Sequence, residues 1–178
     1  FEMMGDFGFD AVAQLKYTSV EKINHVHTPG NSSGIVDGAA STVIVSETFG
    51  KKKGLKPLAR IVGWASVGCD PKIMGIGPAY AIPKALDRAG LKLKDMALIE
   101  VNEAFSAQYL SVEKKLELER GRTNVNGGAI AIGHPLAASG IRIMNHLVYE
   151  LHRRQERYAI GSACIGGGQG IAMIIERL

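Results

Sequence analysis

The stretch Tyr158-Ala159-Ile160-Gly161-Ser162-Ala163-Cys164-Ile165-Gly166-Gly167-Gly168-Gln169-Gly170-Ile171-Ala172-Met173-Ile174-Ile175 holds two apolar runs split by a glycine-rich turn. Runs of this length bounded by glycine read as strands, and the short link over 165–169 predicts an antiparallel hairpin. Just upstream, Ile141, Met144, Leu147, Val148 and Leu151 recur on one face at a period near 3.6, the mark of an amphipathic helix. A strand around Val125 leads into that helix through Gly127-Gly128 and Gly133-His134-Pro135. Further back, residues 97–101 form a compact apolar strand ending at Asn102. Asn is among the best helix N-caps, so a helix is predicted from Glu103 to about Leu118. Before this, Met74-Gly75-Ile76-Gly77-Pro78 opens a helix that ends before Gly90, with Pro83 expected to fall in its first turn or shorten it. Strands are predicted at 59–65 and 41–45, the latter buried and followed by a short polar helix. The turn Lys51-Lys52-Lys53-Gly54 reads as solvated surface. Strands alternating with helices and closing on a hairpin predict an α/β fold with a mixed sheet. The first 36 residues show little periodicity, with turn signals at Pro29-Gly30-Asn31 and Ser32-Ser33-Gly34.

The 178 residues carry 21 Lys+Arg against 17 Asp+Glu, with 46% hydrophobic and 21% charged residues. That balance supports a sizeable core and excludes disorder. A net charge of +4 and 6% aromatic content argue against a nucleic-acid partner. No apolar run reaches the roughly 18 residues of a membrane span. Two cysteines, Cys69 and Cys164, do not make a disulfide scaffold and point to a reducing compartment. Glycine is over-represented at 22 residues, five of them between 161 and 170. The opening Phe1-Glu2-Met3-Met4 has no initiator methionine at position 1, so the chain reads as starting inside a longer polypeptide.

Three polar residues stand at strand ends beside glycine: Asn102, His134 and Cys164. Strand ends line the ligand crevice in such sheets, and neighbouring glycines let a backbone approach a ligand or aim N–H groups at it. Each has a plainer reading alone. Asn102 would serve as a cap, His134 as a hydrogen-bonded loop residue and Cys164 as a small packed hydrophobe. Their combination favours chemistry. Cys69 lacks a partner motif and reads as structural. His25 and His27 lack metal-ligand spacing and read as surface, and no metal site is expected.

Val101-Asn102-Glu103-Ala104-Phe105, Asn126-Gly127-Gly128-Ala129-Ile130-Ala131-Ile132-Gly133-His134-Pro135 and Cys164-Ile165-Gly166-Gly167-Gly168-Gln169-Gly170 resemble the three C-terminal signatures of the thiolases. The intervals of 32 residues from Asn102 to His134 and 30 to Cys164 are also similar. So are Asn31-Ser32-Ser33-Gly34-Ile35-Val36-Asp37-Gly38-Ala39-Ala40 and Asp70-Pro71-Lys72-Ile73-Met74-Gly75-Ile76-Gly77-Pro78. The resemblance runs from about His27 to the C-terminus. Two places depart from the family pattern: Val36 stands where many members have Asn before the Asp, and Ala137-Ala138 replaces a commoner Leu-Gly-Ala/Gly run. Neither removes a catalytic group, and both are read as bearing on chain-length preference.

The resemblance implies reversible Claisen chemistry, in which a 3-ketoacyl-CoA plus CoA gives two shorter acyl-CoAs. It implies that His134 activates a nucleophilic cysteine carried by an N-terminal half and lends its ring N–H to a thioester oxygen. It gives Asn102 the holding of a water in that oxyanion hole, Cys164 the acid/base role, and the Gly166 amide a place in a second oxyanion hole. Ser33, Met74, Ala104 and Phe105 match the channel for the pantetheine arm. Chemistry agrees with such roles: preorganised donors to a developing O⁻ are worth ~3–4 kcal/mol each. A cysteine flanked by donors or His offers a thiolate near neutral pH.

It also implies a thiolase-like half with a five-stranded mixed sheet, stacked on a similar N-terminal half. Residues 1–36 would be the remnant of an inserted substrate-binding loop region, 37–57 the end of the N-terminal half and 58–178 the C-terminal domain. Coenzyme A enters as a substrate, with no further cofactor. The expected partners are acyl-CoA, CoA, the N-terminal half and further copies in a homodimer or homotetramer. Bacterial cytoplasm is the first expectation for location, the mitochondrial matrix the second. Two alternatives stand beside this: a related ketoacyl synthase, and a non-enzymatic acyl-CoA or lipid carrier. The Gly-His-Pro motif and the second cysteine disfavour the synthase, and a carrier would be expected to lose the catalytic set.

Overall fold

The computed structural model describes residues 5–178. Phe1 to Met4, quoted above as the opening, lie outside the described residues. The helices are α1 (Phe9–Lys16), α2 (Glu47–Lys52), α3 (Gly77–Ala89), α4 (Ser106–Leu116), α5 (Ala129–Ile132) and α6 (Ser139–Arg154). The strands are β1 (Ala59–Gly68), β2 (Leu98–Val101), β3 (Tyr158–Ile165) and β4 (Gln169–Arg177), in the order β1-β4-β3-β2. The hairpin β3–β4 is antiparallel, with Ile165 opposite Gln169. β1 runs antiparallel to β4, and β2 is parallel to β3. The predicted mixed sheet is therefore present, built around the predicted hairpin.

Both faces of the sheet are covered, and the alternation of a strand shows which residue serves which face. Leu98, Ala159 and Ile175 pack with Ile143, Leu147 and Leu151 of α6. Their immediate neighbours Ile99, Ile160 and Ile174 point the other way, into a core with Ile82, Ala85 and Leu86 of α3. The contact of α3 with the sheet requires bare backbone. A Cβ on Gly170 would fall 2.4 Å from Gly77, and one on Gly77 would fall 2.7 Å from the Gln169 carbonyl.

Pro83 sits in the middle of α3 rather than in its first turn. A proline there forfeits one backbone hydrogen bond and costs ~3 kcal/mol. Burial of Ile82 and Leu86 beside it, at about 1.5–3 kcal/mol each, offsets that cost and keeps the helix running to Ala89.

The sheet differs from expectation at its β2 edge. Among the described residues it has four strands, not five, and the strand expected around Val125 is a single parallel bridge between Thr123 and Ile99. The cause is Asn124. Its backbone N–H still donates to Ile99 O (2.9 Å), but its φ of 48° turns the chain out of the ladder. Its side-chain amide then takes the ladder's place, Oδ1 accepting from Val101 N (2.9 Å) and Nδ2 donating to Val101 O (3.0 Å).

The strand expected at 41–45 does not form, and Val43 and Ile44 are 86% and 70% exposed. A strand exists by pairing, and no backbone among the described residues pairs with this run. The helix after Asn102 begins at Ser106, not Glu103, because residues 102–105 are held in an extended loop described below. Among the described residues before 37, α1 and a 3-10 turn at Pro29–Asn31 form where no helix was expected. On α6, Ile143 rather than Ile141 joins the core.

Glu150, buried on α6, accepts from Arg153 Nε at 2.8 Å and from Arg154. The Arg153 bonds, ahead of those from Arg154, hold its carboxyl down to about 2 against a usual 4.5. A depressed carboxylate stabilises the fold above its unfolded value and loses that contribution as pH falls toward 2. Arg153 is largely exposed, so the contribution is about 1–2 kcal/mol after solvent screening. Thermal melts of Glu150→Gln should therefore be depressed at pH 7 and converge on the parent as pH falls to about 2 and below. A constant gap across that range would show that the ion pairs add nothing.

Candidate active site

At the end of β2, Asn102 extends the parallel ladder by one step, its N–H donating to Ser162 O (2.9 Å). Its side chain lies on the α6 face of the sheet, 1% exposed, with Nδ2 3.4 Å from His134 Nε2. Asn102 Oδ1 is buried with no hydrogen-bond partner among the described residues. A buried acceptor left unpaired costs roughly 1–3 kcal/mol, so the site is built for an incoming donor.

His134 is presented by the loop between α5 and α6. Its Nδ1 lies 2.6 Å from Ser139 Oγ, at the start of α6. Burial, then the Arg142 guanidinium, push the imidazole below its usual range, which favours the neutral base. Arg142 is itself fixed by Glu100, a carboxylate 1% exposed on β2 that also receives His146 Nδ1.

Two devices set the spacing of these loops. The first is a strap. Ser33 N and Oγ both donate to Ala104 O (3.0 and 3.2 Å), and His134 N donates to Gly34 O (2.8 Å). Successive residues of one strand-like segment thus hold the Asn102 loop and the His134 loop, with single bridges Ser32–Phe105 and Ile35–His134. The second is Glu103, whose carboxylate accepts from Asn124 Nδ2 (2.7 Å) and from Ile130 N in α5 (3.2 Å).

Cys164 is the last but one residue of β3, at the same end of the sheet. The register Val101–Ser162 places it one residue beyond the position facing Asn102, about 6 Å away between backbones. By alternation it belongs to the opposite face, with Ile160 and Ser162. No hydrogen bond among the described residues joins its thiol to Asn102 or His134. Burial above all, with Cys69 adding to it, pushes the thiol up. That direction favours the thiol over the thiolate.

Gly166 opens the tight turn of the hairpin, over which Gly167 and Gly168 take φ near +86° and +87°. At Gly168 a side chain is excluded twice, since a Cβ would also lie 2.3 Å from Cys69 O. Cys69 N donates to that glycine's carbonyl (2.8 Å), which pins the turn and gives Cys69 a structural place. Phe105 stacks edge-on against His27, centroids 5.2 Å apart. Met74 lies in the 3-10 turn Pro71–Ile76, which packs against α4. His25 and His27 are half-buried rather than surface, and His25 Nε2 lies 2.8 Å from Asp10. Among the described residues no three His, Cys, Asp or Glu side chains group as metal ligands, and no helix is long and apolar enough to cross a membrane.

The structure brings Asn102, His134, Ser33, Ala104 and Phe105 together and leaves Cys164 beside them without direct contact. Sequence reasoning missed Ser139, Arg142, Glu100 and the bracketing role of Glu103. A carboxylate inside an apolar strand, as at Glu100, and two hydrogen-bond-donating side chains four apart on a helix, Arg142 and His146, were the available signals.

The family description "Thiolase, C-terminal domain" matches residues 55–177. The mitochondrial 3-ketoacyl-CoA thiolase of Bos taurus is 65% identical over 149 residues, 84% of this chain and 38% of that protein. The acetyl-CoA acetyltransferase of Shinella zoogloeoides is 54% identical over 169 residues, 95% of this chain and 43% of that protein. The crystal structure of human mitochondrial 3-ketoacyl-CoA thiolase in complex with CoA superposes with a TM-score of 0.82 at 56% identity, covering 89% of this chain and 40% of that one. The chain spans about two fifths of the length of these relatives.

Proposed function

Because the chain belongs to the thiolase family, through its C-terminal domain, we propose that it supplies one half of the active site of an acyl-CoA C-acyltransferase. The reaction is the reversible thiolysis of a 3-ketoacyl-CoA by CoA. The observation that carries this reading is the buried contact of Asn102 with His134, held by the strap over Ser33 and Gly34. It supports an intact catalytic pair and disfavours a module kept only for binding.

His134 Nε2 takes the proton of the acyl-accepting thiol, which lies in the N-terminal half, and the resulting N–H then faces the thioester oxygen. Asn102 Oδ1 accepts from a water whose second hydrogen stabilises the same oxygen. Cys164, protonated at rest, gives its proton to the departing carbanion in thiolysis and takes one from the attacking CoA thiol, with the Gly166 amide donating to the second oxyanion. Ser33, Met74, Ala104 and Phe105 flank the pantetheine arm. Residues 58–178 form the C-terminal domain, 37–57 belong to the N-terminal half, and 1–36 to an inserted substrate-binding region. Coenzyme A is a substrate, and no separate cofactor is required. The higher identity to mitochondrial 3-ketoacyl-CoA thiolases than to bacterial acetyltransferases favours a degradative role in fatty-acid β-oxidation. A homodimer or homotetramer is the proposed assembly, in the mitochondrial matrix or bacterial cytoplasm.

The test mixes acetoacetyl-CoA and CoA with this chain alone, and then with the chain joined to a thiolase N-terminal half. Acetyl-CoA formation is expected only from the joined protein. Turnover by this chain alone would remove the nucleophile from the other half and end the assignment.

A further inference from the structure

His134 has two ring nitrogens with different neighbours, and the proton inventory around Ser139 decides between them. The Ser139 hydroxyl has one hydrogen and two apparent partners: Pro135 O at 3.1 Å and His134 Nδ1 at 2.6 Å. Pro135 is four residues earlier in the chain, and a helix-start serine bonding back to the i−4 carbonyl is a standard use of that hydrogen. The Pro135 carbonyl also receives Ser139 N (2.9 Å), so hydroxyl and amide of Ser139 are anchored on one oxygen. Ser139 is 4% exposed, which leaves no bulk water to take the hydrogen instead. With the hydroxyl hydrogen spent on Pro135, the 2.6 Å contact is closed by Nδ1–H donating to Oγ. Nε2 then carries the lone pair, and Asn102 Nδ2 faces it as a donor at 3.4 Å.

We infer that Ser139 is a positioning residue that fixes neutral His134 as its Nδ1–H tautomer and so reserves Nε2 for proton exchange with the reacting groups. This deepens the proposed function and rests on it for its catalytic meaning. The tautomer itself is a property of this chain and is measurable without turnover. One nitrogen can then serve two roles in sequence. Nε2 takes a proton from the thiol as base, and the N–H so formed points at the developing oxyanion. The proton returns by the same atom when the thiol is restored. Without Ser139, an imidazole free to choose favours Nε2–H, the tautomer with no base at the reacting position.

The experiment is long-range ¹H–¹⁵N correlation spectroscopy on the full chain above the titration of His134, with Ser139→Ala and Ser139→Thr alongside. Folding of each is checked by its backbone amide spectrum. The parent is expected to show a pyrrole-type Nδ1 and a pyridine-type Nε2. Ser139→Ala should move His134 to mixed or Nε2–H signals, and Ser139→Thr, which keeps the hydroxyl, should restore the parent pattern. A pyridine-type Nδ1 in the parent overturns the inference outright, whatever the variants do. So does an unchanged His134 signal in folded Ser139→Ala. Loss of thiolysis in a joined protein with the tautomer intact would instead count against the proposed function alone.

Discussion

In an enzyme assembled from this chain and a thiolase N-terminal half, His134→Ala is expected to slow acetoacetyl-CoA thiolysis by about 10⁴-fold. Positioned proton transfer is worth about 10²–10⁴-fold, and a lost oxyanion donor ~3–4 kcal/mol, so a residue performing both stands at the top of that range. Asn102→Ala should cost less, about 10²-fold, because in the proposed mechanism Asn102 acts on the oxyanion through one water and its loss leaves the base in place. The pH profile gives an independent reading. Burial and Arg142 lower the His134 value, so the acidic limb of kcat/KM should lie below that of an ordinary imidazole, with activity rising as pH rises through it. Equal losses for the two variants, or a limb above the ordinary range, would contradict the roles given to them.

Cys164→Ala separates the two half-reactions. In the proposed mechanism acyl transfer to the N-terminal cysteine depends on His134, whereas Cys164 only protonates the departing CoA thiolate, a good leaving group without it, so burst formation of acyl-enzyme should survive within a few-fold. Condensation needs the Cys164 proton and should fall by about 10²–10⁴-fold. Burial raises this thiol, which agrees with the proposed start of thiolysis from Cys164 as the acid. In condensation it gives that proton to the departing CoA thiolate during acylation and then, as the thiolate, takes the α-proton of the second acyl-CoA, so both directions start from the protonated thiol. Condensation unchanged by the substitution would reduce Cys164 to packing.

Much of the scaffold was legible in the chain because it is written locally. The hairpin over 158–175, strand β1 and the helix ending at Gly90 follow from short apolar runs and their punctuation. What was misread depends on partners distant in sequence. Val43, Ile44 and Val45 have the composition of a strand but no backbone to pair with among the described residues. The fifth strand is curtailed by one asparagine whose side chain imitates a backbone, a substitution no periodicity reveals. Asn102 was expected to cap a helix. The strap from 32–35, about 70 residues away, instead holds its loop extended and frees the amide for His134. The site was legible as residue types and intervals. Its second layer, Ser139 on His134 and Glu100 on Arg142, became visible only when α6 was laid on the sheet.

The strap also sets a ruler. Ala104 O is bonded to Ser33 N and His134 N to Gly34 O, so the spacing of the two loops is measured by two residues of extended chain, ~6.6 Å. The alternative route runs through α4, the turn Arg120–Arg122, exposed at Arg120 and Gly121, and α5. Insertions at Arg120 and Gly121 would therefore be absorbed at the surface without stretching the distance between the two loops.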